Sequence, residues 1–450
     1  MPQLPGDEPP SACSRSLWRD RDFGVFWAAQ TLSVVGDSFA LIALPLLVLH
    51  ATGSVAQMGL LTGAAGAAAV GAGVFAGVVV DRLDRRKLLI VCDLVRLVLY
   101  ALIPLAWALG PQIWLLYVVL PLAEAVGMLF SVTYVTAVRA LVPGDRITEA
   151  NGRLNATAAA AGVVGPLLAG VVAAWLGPAA AVAVDAVSFG VSAACLHFVR
   201  FKDRAEPSGD AAEGPRRESM GKEFAAGVSF LRRHPVLRSL TILLSVFSFL
   251  TLGLNDLIIY HLKHDLGQGD GAVGTVFAVG ALGTVVGALF VAPIRHRLGF
   301  GVTWTGGVAV CGLALAAIGS AASVAGIAAL SAVFLGCVSV SGTCSMSLRQ
   351  EVTPDHLLGR VTSAFWTIHY SAAPIGAAVL TWAAQRYGTG AVCLTAGACC
   401  LLTAVLALFT PVRTRRPEQA GPVAVDPVRR EILGDGADPT GNRLGQDELS

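Results

Sequence analysis

Charged residues are scarce in this chain. They make up 14% of its 450 residues, against roughly 25% in an ordinary soluble domain. Hydrophobic residues make up 55%, and the mean hydropathy is +0.68. So little polar surface excludes a water-soluble protein of this length, a disordered chain and a basic nucleic-acid-binding domain. The net charge of +2 identifies no partner, because the distribution of charge matters here and the sum does not.

Paired cysteines and catalytic motifs are also missing. The nine cysteines are odd in number, form no C-x-x-C pair and lie mostly inside apolar runs, so we interpret them as small core residues rather than disulfide or zinc ligands. The sequence contains no G-x-x-x-x-G-K-[ST], no H-E-x-x-H and no G-x-S-x-G. We therefore expect no enzyme, no metal, no cofactor and no ATP hydrolysis, which leaves an ion gradient as the energy source.

Long apolar runs, in contrast, are abundant. A bilayer core needs roughly 20 apolar residues per helix, and small-xxx-small spacings such as Gly283/Gly287 are typical of packed membrane helices. The sequence predicts an all-α membrane protein with twelve transmembrane helices, at about 24–49, 55–80, 88–109, 113–138, 155–175, 179–199, 239–260, 272–292, 302–320, 324–345, 363–384 and 390–410.

The lysines and arginines favour one side of this arrangement. If the N-terminus is cytoplasmic, 29 of the 32 lie in segments that face the cytoplasm. Only Lys263 and Arg386 fall in outer loops, and Arg96 lies within a span. Because cytoplasmic loops carry an excess of Lys and Arg, we expect a multi-pass protein of the cell (inner) membrane with both termini in the cytoplasm. The polar N-terminus predicts no cleavable signal peptide.

Polar segments divide the chain into two halves of six spans. The longest internal polar stretch separates them and ends in a predicted amphipathic helix, and the Pro-, Gly- and charge-rich C-terminus is expected to be disordered. The predicted parts are an N-terminal tail (1–22), a six-helix bundle (23–199), a linker (200–238), a second six-helix bundle (239–410) and a cytoplasmic tail (411–450).

A weak internal repeat relates the two halves. Arg153, preceded by Gly, recurs as Arg360 at an offset of 207, and Pro166 in the fifth span recurs as Pro374 in the eleventh at an offset of 208. Similar offsets at corresponding helices predict two parallel six-helix repeats, which is the internal symmetry of one large transporter architecture.

A charged motif follows the second span, where the chain reads Gly77-Val-Val-Val-Asp81-Arg82-Leu-Asp84-Arg85-Arg86. It resembles the loop 2–3 signature G-x-x-x-D-R-x-G-R-R of the major facilitator superfamily, with Asp84 in place of the second glycine. Positive-inside topology alone would explain the arginines but not the glycine or the carboxylate. The resemblance implies a latch that closes the cytoplasmic side, formed by Gly77, Asp81, Arg82, Arg85 and Arg86. We add Asp93 and Arg96 of span three, which are expected to pair with each other or with this loop.

The fifth span carries a second motif. Gly165, Pro166 and Gly170 match an exporter-type pattern of the same superfamily, G-x-x-x-G-P-x-x-G-G. Proline inside a lipid span removes a backbone hydrogen bond and kinks the helix. We therefore predict a helix-5 hinge at these residues; the alternative is a kink without a role in function.

Loop 10–11, the segment 143–147 and Gly36-Asp37 are similar to the twelve-span branch that contains macrolide-efflux and enterobactin-exporter proteins. The resemblance covers about 20–410. It implies a secondary transporter that works by alternating access, but the branch does not fix the substrate. We expect proton-coupled export of an amphipathic small molecule, drug-, macrolide- or siderophore-like, by a monomer. The alternatives are a sugar or metabolite uptake symporter, a polytopic membrane enzyme and a non-transporting sensor that uses the C-terminal tail.

Two carboxylates fall near the middle of predicted spans. Asp37 lies in span one and Glu124 in span four, and the resemblance implies that both spans line a central cavity. Because burial disfavours the charged form of a carboxyl group, such a residue can exchange protons near neutral pH. We expect Asp37 or Glu124 to couple proton entry to export or to hold a cationic substrate; structural carboxylates are the alternative. Asp185, His369 and Tyr370 are further cavity candidates. The arginine typical of span four in multidrug exporters is absent.

Overall fold

The chain is helical throughout the part that a computed structural model describes, residues 20–142, 146–199 and 220–417. No strand occurs within these ranges. The helices are α1 (Arg21–Thr52), α2 (Val55–Arg82), α3 (Arg85–Trp107), α4 (Ile113–Leu141), α5 (Ile147–Leu176), α6 (Pro178–Phe198), α7 (Met220–Arg233), α8 (Pro235–Thr251), α9 (Leu254–Tyr260), α10 (Asp270–Leu298), α11 (Phe300–Ile318), α12 (Val324–Val352), α13 (Asp355–Ser371), α14 (Ala373–Tyr387) and α15 (Thr389–Leu408).

Eleven helical segments of the described chain are long and apolar enough to cross a bilayer, and they coincide with eleven of the twelve predicted spans. One of them is built from α8, α9 and the π-helical turn His261–Asp265. The remaining predicted span, 363–384, falls on two short helices, α13 and α14, which meet at Ala372. The all-α membrane class is confirmed, and the count of twelve stays a prediction.

The predicted linker and tails differ in detail from the structure. The amphipathic linker helix is α7, and α8 begins at Pro235, four residues before the predicted boundary. The prediction of a disordered C-terminal tail is wrong for its first residues. The Phe300 amide donates a hydrogen bond to the Arg415 carbonyl oxygen at 3.0 Å. Helix α1 already begins at Arg21, inside the predicted N-terminal tail. Residues 1–19, 200–219 and 418–450 lie outside the described residues.

Close contact between the two halves occurs at one end of the bundle. We call the end with the α2–α3 connection the motif end and the opposite one the far end. Near the far end, α2 packs on α14 and α5 packs on α10. A Cβ added to Gly63 would lie 2.7 Å from the Pro374 carbonyl oxygen, and one added to Gly170 would lie 2.8 Å from the Gly274 Cα. These glycines let the backbones of the two halves touch.

A glycine seam also joins α10 to α12 within the second half. A Cβ added to Gly283 would lie 2.6 Å from the Cα of Ala332, and Gly287 faces Gly336 in the same way. The predicted helix contact at Gly283/Gly287 is therefore confirmed. Without a hydrophobic driving force between helices in lipid, such close backbone packing is a main source of association.

We expect opposite effects from the same substitution at two helical glycines. Gly283→Ala places a methyl group against Ala332 and should destabilise the protein by about 1–3 kcal/mol. Gly306→Ala, where a Cβ meets nothing within 4 Å, should be neutral or stabilising by up to about 1 kcal/mol, because alanine favours the helix. Thermal unfolding of the two variants in detergent measures this. Equal shifts of both melting temperatures would contradict the packing account.

Candidate functional site

A cavity of about 690 Å³ lies mainly within the first half, along α1, α2, α4 and α5. It reaches Leu154 and Asn155 in the first turns of α5, near the motif end. Toward the far end its floor includes Pro45, Thr62 and, from the second half, Leu252. The lining thus extends toward the motif end, while the two halves touch at the far end.

An ion pair bridges two helices inside the cavity. The Arg96 guanidinium on α3 donates to Oδ1 of Asp37 on α1 at 2.7 Å. The Asp37 side chain is 47% exposed, whereas that of Arg96 is 10% exposed. The Arg96 guanidinium also lies 3.9 Å from the centroid of the Phe189 ring on α6, a cation–π distance. A solvated carboxylate thus meets an arginine that the protein holds in place.

Helix α4 passes beside this arginine at Gly127, where an added Cβ would be in ordinary van der Waals contact with the guanidinium. A Cβ added to Gly127 would lie 3.8 Å from the Arg96 Cζ. Gly127 follows Glu124 by about one helical turn, near the place where the resemblance to exporters leads to the expectation of an arginine in span four. Here the guanidinium beside span four comes from α3 instead. The sequence contains one hint of this arrangement, because Arg96 is the lone arginine inside a predicted span.

Further carboxyl groups surround the pair. Glu124 lines the same cavity. Asp185 on α6 is fully buried, and a Cβ added to Gly36 would lie 2.6 Å from its Oδ1, so glycine at position 36 lets α1 approach α6. Asp93, also fully buried, precedes Arg96 by one turn of α3. One guanidinium therefore lies among four carboxyl groups, and the site favours cations and protons over anions.

The expected partner of Arg96 is corrected by this geometry. The sequence groups Arg96 with the latch and predicts a pair with Asp93 or with residues 81–87. Its side chain reaches Asp37 instead, because it lies eleven residues into α3, three turns away from the connection at Leu83 and Asp84. Asp93 makes no hydrogen bond shorter than 3.5 Å through either carboxylate oxygen.

The cavity positions expected for His369 and Tyr370 are wrong. His369 is buried, with Nε2 3.1 Å from the Ser248 hydroxyl on α8. Tyr370 is 43% exposed and stacks on Trp366 at 5.2 Å between ring centroids. Neither residue lines the cavity beside Asp37. The reason is packing: α13 directs His369 against α8, and aromatic neighbours fill the space around it.

The latch motif is described in part. The Asp84 side chain accepts from the Lys87 amide at 2.9 Å and is the N-cap of α3, which explains a carboxylate where the signature has glycine. Arg86 donates to the carbonyl oxygens of Leu196 and His197 at the end of α6. Arg85 is exposed. For the other three motif residues, Gly77, Asp81 and Arg82, the structure describes the helix but not the surroundings of the residue.

The span-five motif makes contacts rather than a break. Helix α5 continues from Ile147 to Leu176 through Pro166. A Cβ added to Gly165 would lie 2.5 Å from the Ser38 Cβ on α1, and Gly170 faces Gly274 on α10. The helix breaks lie elsewhere, between α8 and α9 and between α13 and α14. A pivot at Gly165, Pro166 and Gly170 stays a prediction, and their observed role is close packing.

A buried arginine in the second half is a feature that sequence reasoning missed. Arg349 on α12 is 1% exposed and lies 3.9 Å over the Phe365 ring. Its Nε and Nη1 atoms have no hydrogen-bond partner. The sequence offers one hint of this burial, because Arg349 is followed by a predicted span that contains the aromatic residues Phe365 and Trp366. No cluster of three or more His, Cys, Asp or Glu suited to a metal occurs in the described part of the chain.

The comparisons with known proteins agree with this architecture. The family model described as Major Facilitator Superfamily matches residues 26–377. The chain belongs to the major facilitator superfamily. It is thus a member of a family of membrane transporters, not of an enzyme family.

Named relatives and a solved structure share most of this chain. It is 26% identical over 373 residues to the multidrug efflux pump Tap of Mycobacterium tuberculosis (80% of this chain, 87% of that protein). It is 25% identical over 408 residues to the enterobactin exporter EntS of Escherichia coli O1:K1 (89% and 94%). The crystal structure of a bacterial homologue of the human lysosomal transporter Spinster, inward-facing and unoccupied, superposes with a TM-score of 0.66 at 15% identity, covering 90% of this chain and 97% of that one.

We expect the Asp37–Arg96 contact to appear as non-additivity. In a double-mutant cycle of Asp37→Asn and Arg96→Gln, the coupling in the free energy of unfolding should be about 0.5–3 kcal/mol. SDS titration of the purified protein in mixed micelles measures it. A control cycle of Arg96→Gln with Glu149→Gln should be additive within about 0.5 kcal/mol, since Glu149 pairs with Arg146 and Arg153. Equal coupling in both cycles would contradict a specific pair.

Proposed function

We propose that this protein is a proton-coupled exporter of amphipathic small molecules, with preference for cationic ones. The observation that carries the proposal is the Asp37–Arg96 ion pair, held inside a cavity that also exposes Glu124. The relatives named as a multidrug efflux pump and an enterobactin exporter support export of small molecules.

The contact pattern supports alternating access between the two halves. The far end is held by the α2–α14 and α5–α10 contacts and by a polar contact across the halves, between His50 Nε2 and Asp270 Oδ1 at 3.4 Å. The cavity lining extends toward the motif end. If 29 of the 32 basic residues mark the cytoplasmic side, this is the conformation in which substrate enters from the cytoplasm while the outer side is closed.

The chemistry of the pair supports an exchange of substrate and proton. A cationic substrate that enters the cavity competes with Arg96 for the exposed carboxylate of Asp37. A proton that reaches Asp37 or Glu124 removes the negative charge and thereby lowers the affinity for the cation. Arg96 stays charged at any physiological pH. Its positive charge therefore favours release of the proton and of the cationic substrate from Asp37. A carboxyl group that binds either the proton or the cationic substrate, but not both at once, couples proton entry to substrate export.

The proposed mechanism needs one membrane crossing more than the eleven long apolar segments of the described chain. We propose that α13 and α14 together form a twelfth crossing, because they cover Asp355–Tyr387 in two segments joined at Ala372. An even number of crossings leaves both termini on the cytoplasmic side, at the motif end. The broken α8–α9 and α13–α14 helices then occupy the first and fifth positions of the second half, and Leu252, between α8 and α9, lines the cavity.

We expect export to depend on the cavity carboxylates. In a host that lacks its own pumps, cells with the wild-type protein should retain less ethidium or macrolide than cells without it, and a protonophore should abolish the difference. Asp37→Asn should lower export about tenfold or more, as expected for loss of a charged hydrogen-bond partner. Glu124→Gln should flatten the pH profile of export in proteoliposomes with an imposed pH gradient.

The matched control is Glu149→Gln, which removes a carboxylate outside the cavity. It should keep the wild-type rate and pH profile. Accumulation of the probe in cells with the wild-type protein would contradict export. A wild-type pH profile in the Glu124→Gln variant would remove proton coupling from that residue.

The latch motif gives a separate prediction. Asp81→Asn should slow export at least about tenfold with little change in the affinity for the probe, because a latch controls the conformational step rather than binding. Binding in detergent and export from everted vesicles separate the two quantities. Asp22→Asn, near the start of α1, provides a second acidic substitution at the motif end. Unchanged export by Asp81→Asn would defeat the latch interpretation.

A further inference from the structure

A second cavity, of about 420 Å³, lies at the motif end of the second half and is separate from the cavity at Asp37. Its walls come from the last turns of α10, the start of α11, one face of α12 and the segment after α15. Basic side chains dominate its polar lining: Arg295, His296, Arg415 and Arg416. Among the described residues that line it, Glu351 is the one carboxylate. The cavity therefore carries a net positive charge.

The C-terminal segment is held over this cavity by backbone contacts. The amide of Phe300 donates to the Arg415 carbonyl oxygen at 3.0 Å, and that of Gly301 donates to the Thr414 carbonyl oxygen at 3.2 Å. A Cβ on Gly301 would collide with the Arg413 backbone. The first amides of α11 are thus already satisfied, so the positive character of the cavity comes from its side chains and not from a free helix end.

Two of the basic side chains have fixed positions. Arg295 donates to Glu351 on α12 at 2.6 Å, and its guanidinium lies 5.8 Å from the Phe300 ring centroid. Arg415 donates to the Arg297 carbonyl oxygen at 3.1 Å. A site whose cations are held before binding loses less entropy when an anion arrives. After Arg295 is neutralised by Glu351, Arg415 and Arg416 remain as excess charge.

The rest of the lining is divided between hydroxyl groups and apolar walls. Thr343 and Ser347 supply hydroxyls from α12, while Val291, Ala292 and Phe300 supply apolar surface. A free inorganic anion would gain nothing from those apolar walls. A ligand with a phosphate joined to an apolar part matches both kinds of surface.

The position along α10 also indicates lipid. Arg295 lies 25 residues beyond Asp270, the first residue of α10, which is about 38 Å along the helix axis. The hydrocarbon core of a bilayer is about 30 Å thick. If α10 enters the core near Asp270, Arg295 lies beyond its other face, at the level of the headgroups. Basic cavities between membrane helices on the cytoplasmic side are suited to anionic headgroups.

We propose that this cavity binds the phosphate group of an anionic phospholipid, through Arg295, Arg415 and Arg416. The bound headgroup fastens the segment after α15 to α10 and α12 at the cytoplasmic face of the membrane. This assignment does not depend on what the transporter exports, since no residue of the cavity at Asp37 takes part.

Native mass spectrometry of the full-length protein in detergent tests this assignment. Phosphatidylglycerol and phosphatidylcholine with identical acyl chains are added in turn, and bound lipid is counted. The wild-type protein should bind phosphatidylglycerol in preference. Arg416→Gln should weaken this binding about fivefold, and Arg415→Gln with Arg416→Gln about 25-fold, at about fivefold for each basic residue near a headgroup. Arg413→Gln, on the same segment but outside the cavity, should bind as the wild type does.

Three outcomes would overturn the assignment. Equal binding of both lipids by the wild-type protein would show that the protein does not distinguish lipids by the charge of the headgroup. Unchanged phosphatidylglycerol binding by the double variant would place the lipid elsewhere. Displacement of phosphatidylglycerol by millimolar inorganic phosphate, with that phosphate retained by wild type and lost by the double variant, would assign the cavity to a soluble phosphate. Because the readout is lipid binding, failure here and failure of the export proposal are distinguishable.

Discussion

An arginine inside a membrane-spanning helix needs a counter-charge, and much of this protein is arranged around that requirement. Burying an unpaired guanidinium in low dielectric is costly. Arg96 meets it through Asp37 at 2.7 Å and through the Phe189 ring at 3.9 Å. Gly36, where an added Cβ would lie 2.6 Å from Oδ1 of Asp185, allows α1 to approach α6 beside this pair. The pair is thus a packing constraint inside the cavity and, in the proposed mechanism, the group that exchanges substrate and proton.

Small residues perform a second task in the contact between the halves. At the far end, Gly63 and Gly170 bring the backbones of α2 and α14, and of α5 and α10, into contact. Apolar side chains of both halves, among them Leu61, Ala169 and Val273, also belong to one buried cluster. Glycine thus serves both the α10–α12 contact and the contact between the halves, and in the proposed mechanism the second contact opens during transport.

Periodicity, length and charge in the sequence predict the helices well, because each depends on local composition alone. Eleven spans, the amphipathic helix α7 and the glycine contact at Gly283 follow from such patterns. Asp37 and Glu124 are predictable as cavity residues because a carboxylate in mid-span is costly to bury against lipid. The partner of Arg96 is not predictable, since a pairing between α1 and α3 depends on the rotation of both helices. The prediction for His369 and Tyr370 is wrong for the same reason, because it depends on the rotation of α13.

The central claim is that the two halves move against each other around the Asp37–Arg96 cavity. Double electron–electron resonance between two pairs of spin labels tests it most directly. One pair joins the exposed positions Lys87 and Arg297 at the motif end, and the other joins Leu176 and His264 at the far end. When a transported probe and an imposed pH gradient drive the reconstituted protein, the first distance should shorten while the second lengthens. Distances that stay constant, or that change in the same direction, would contradict the account.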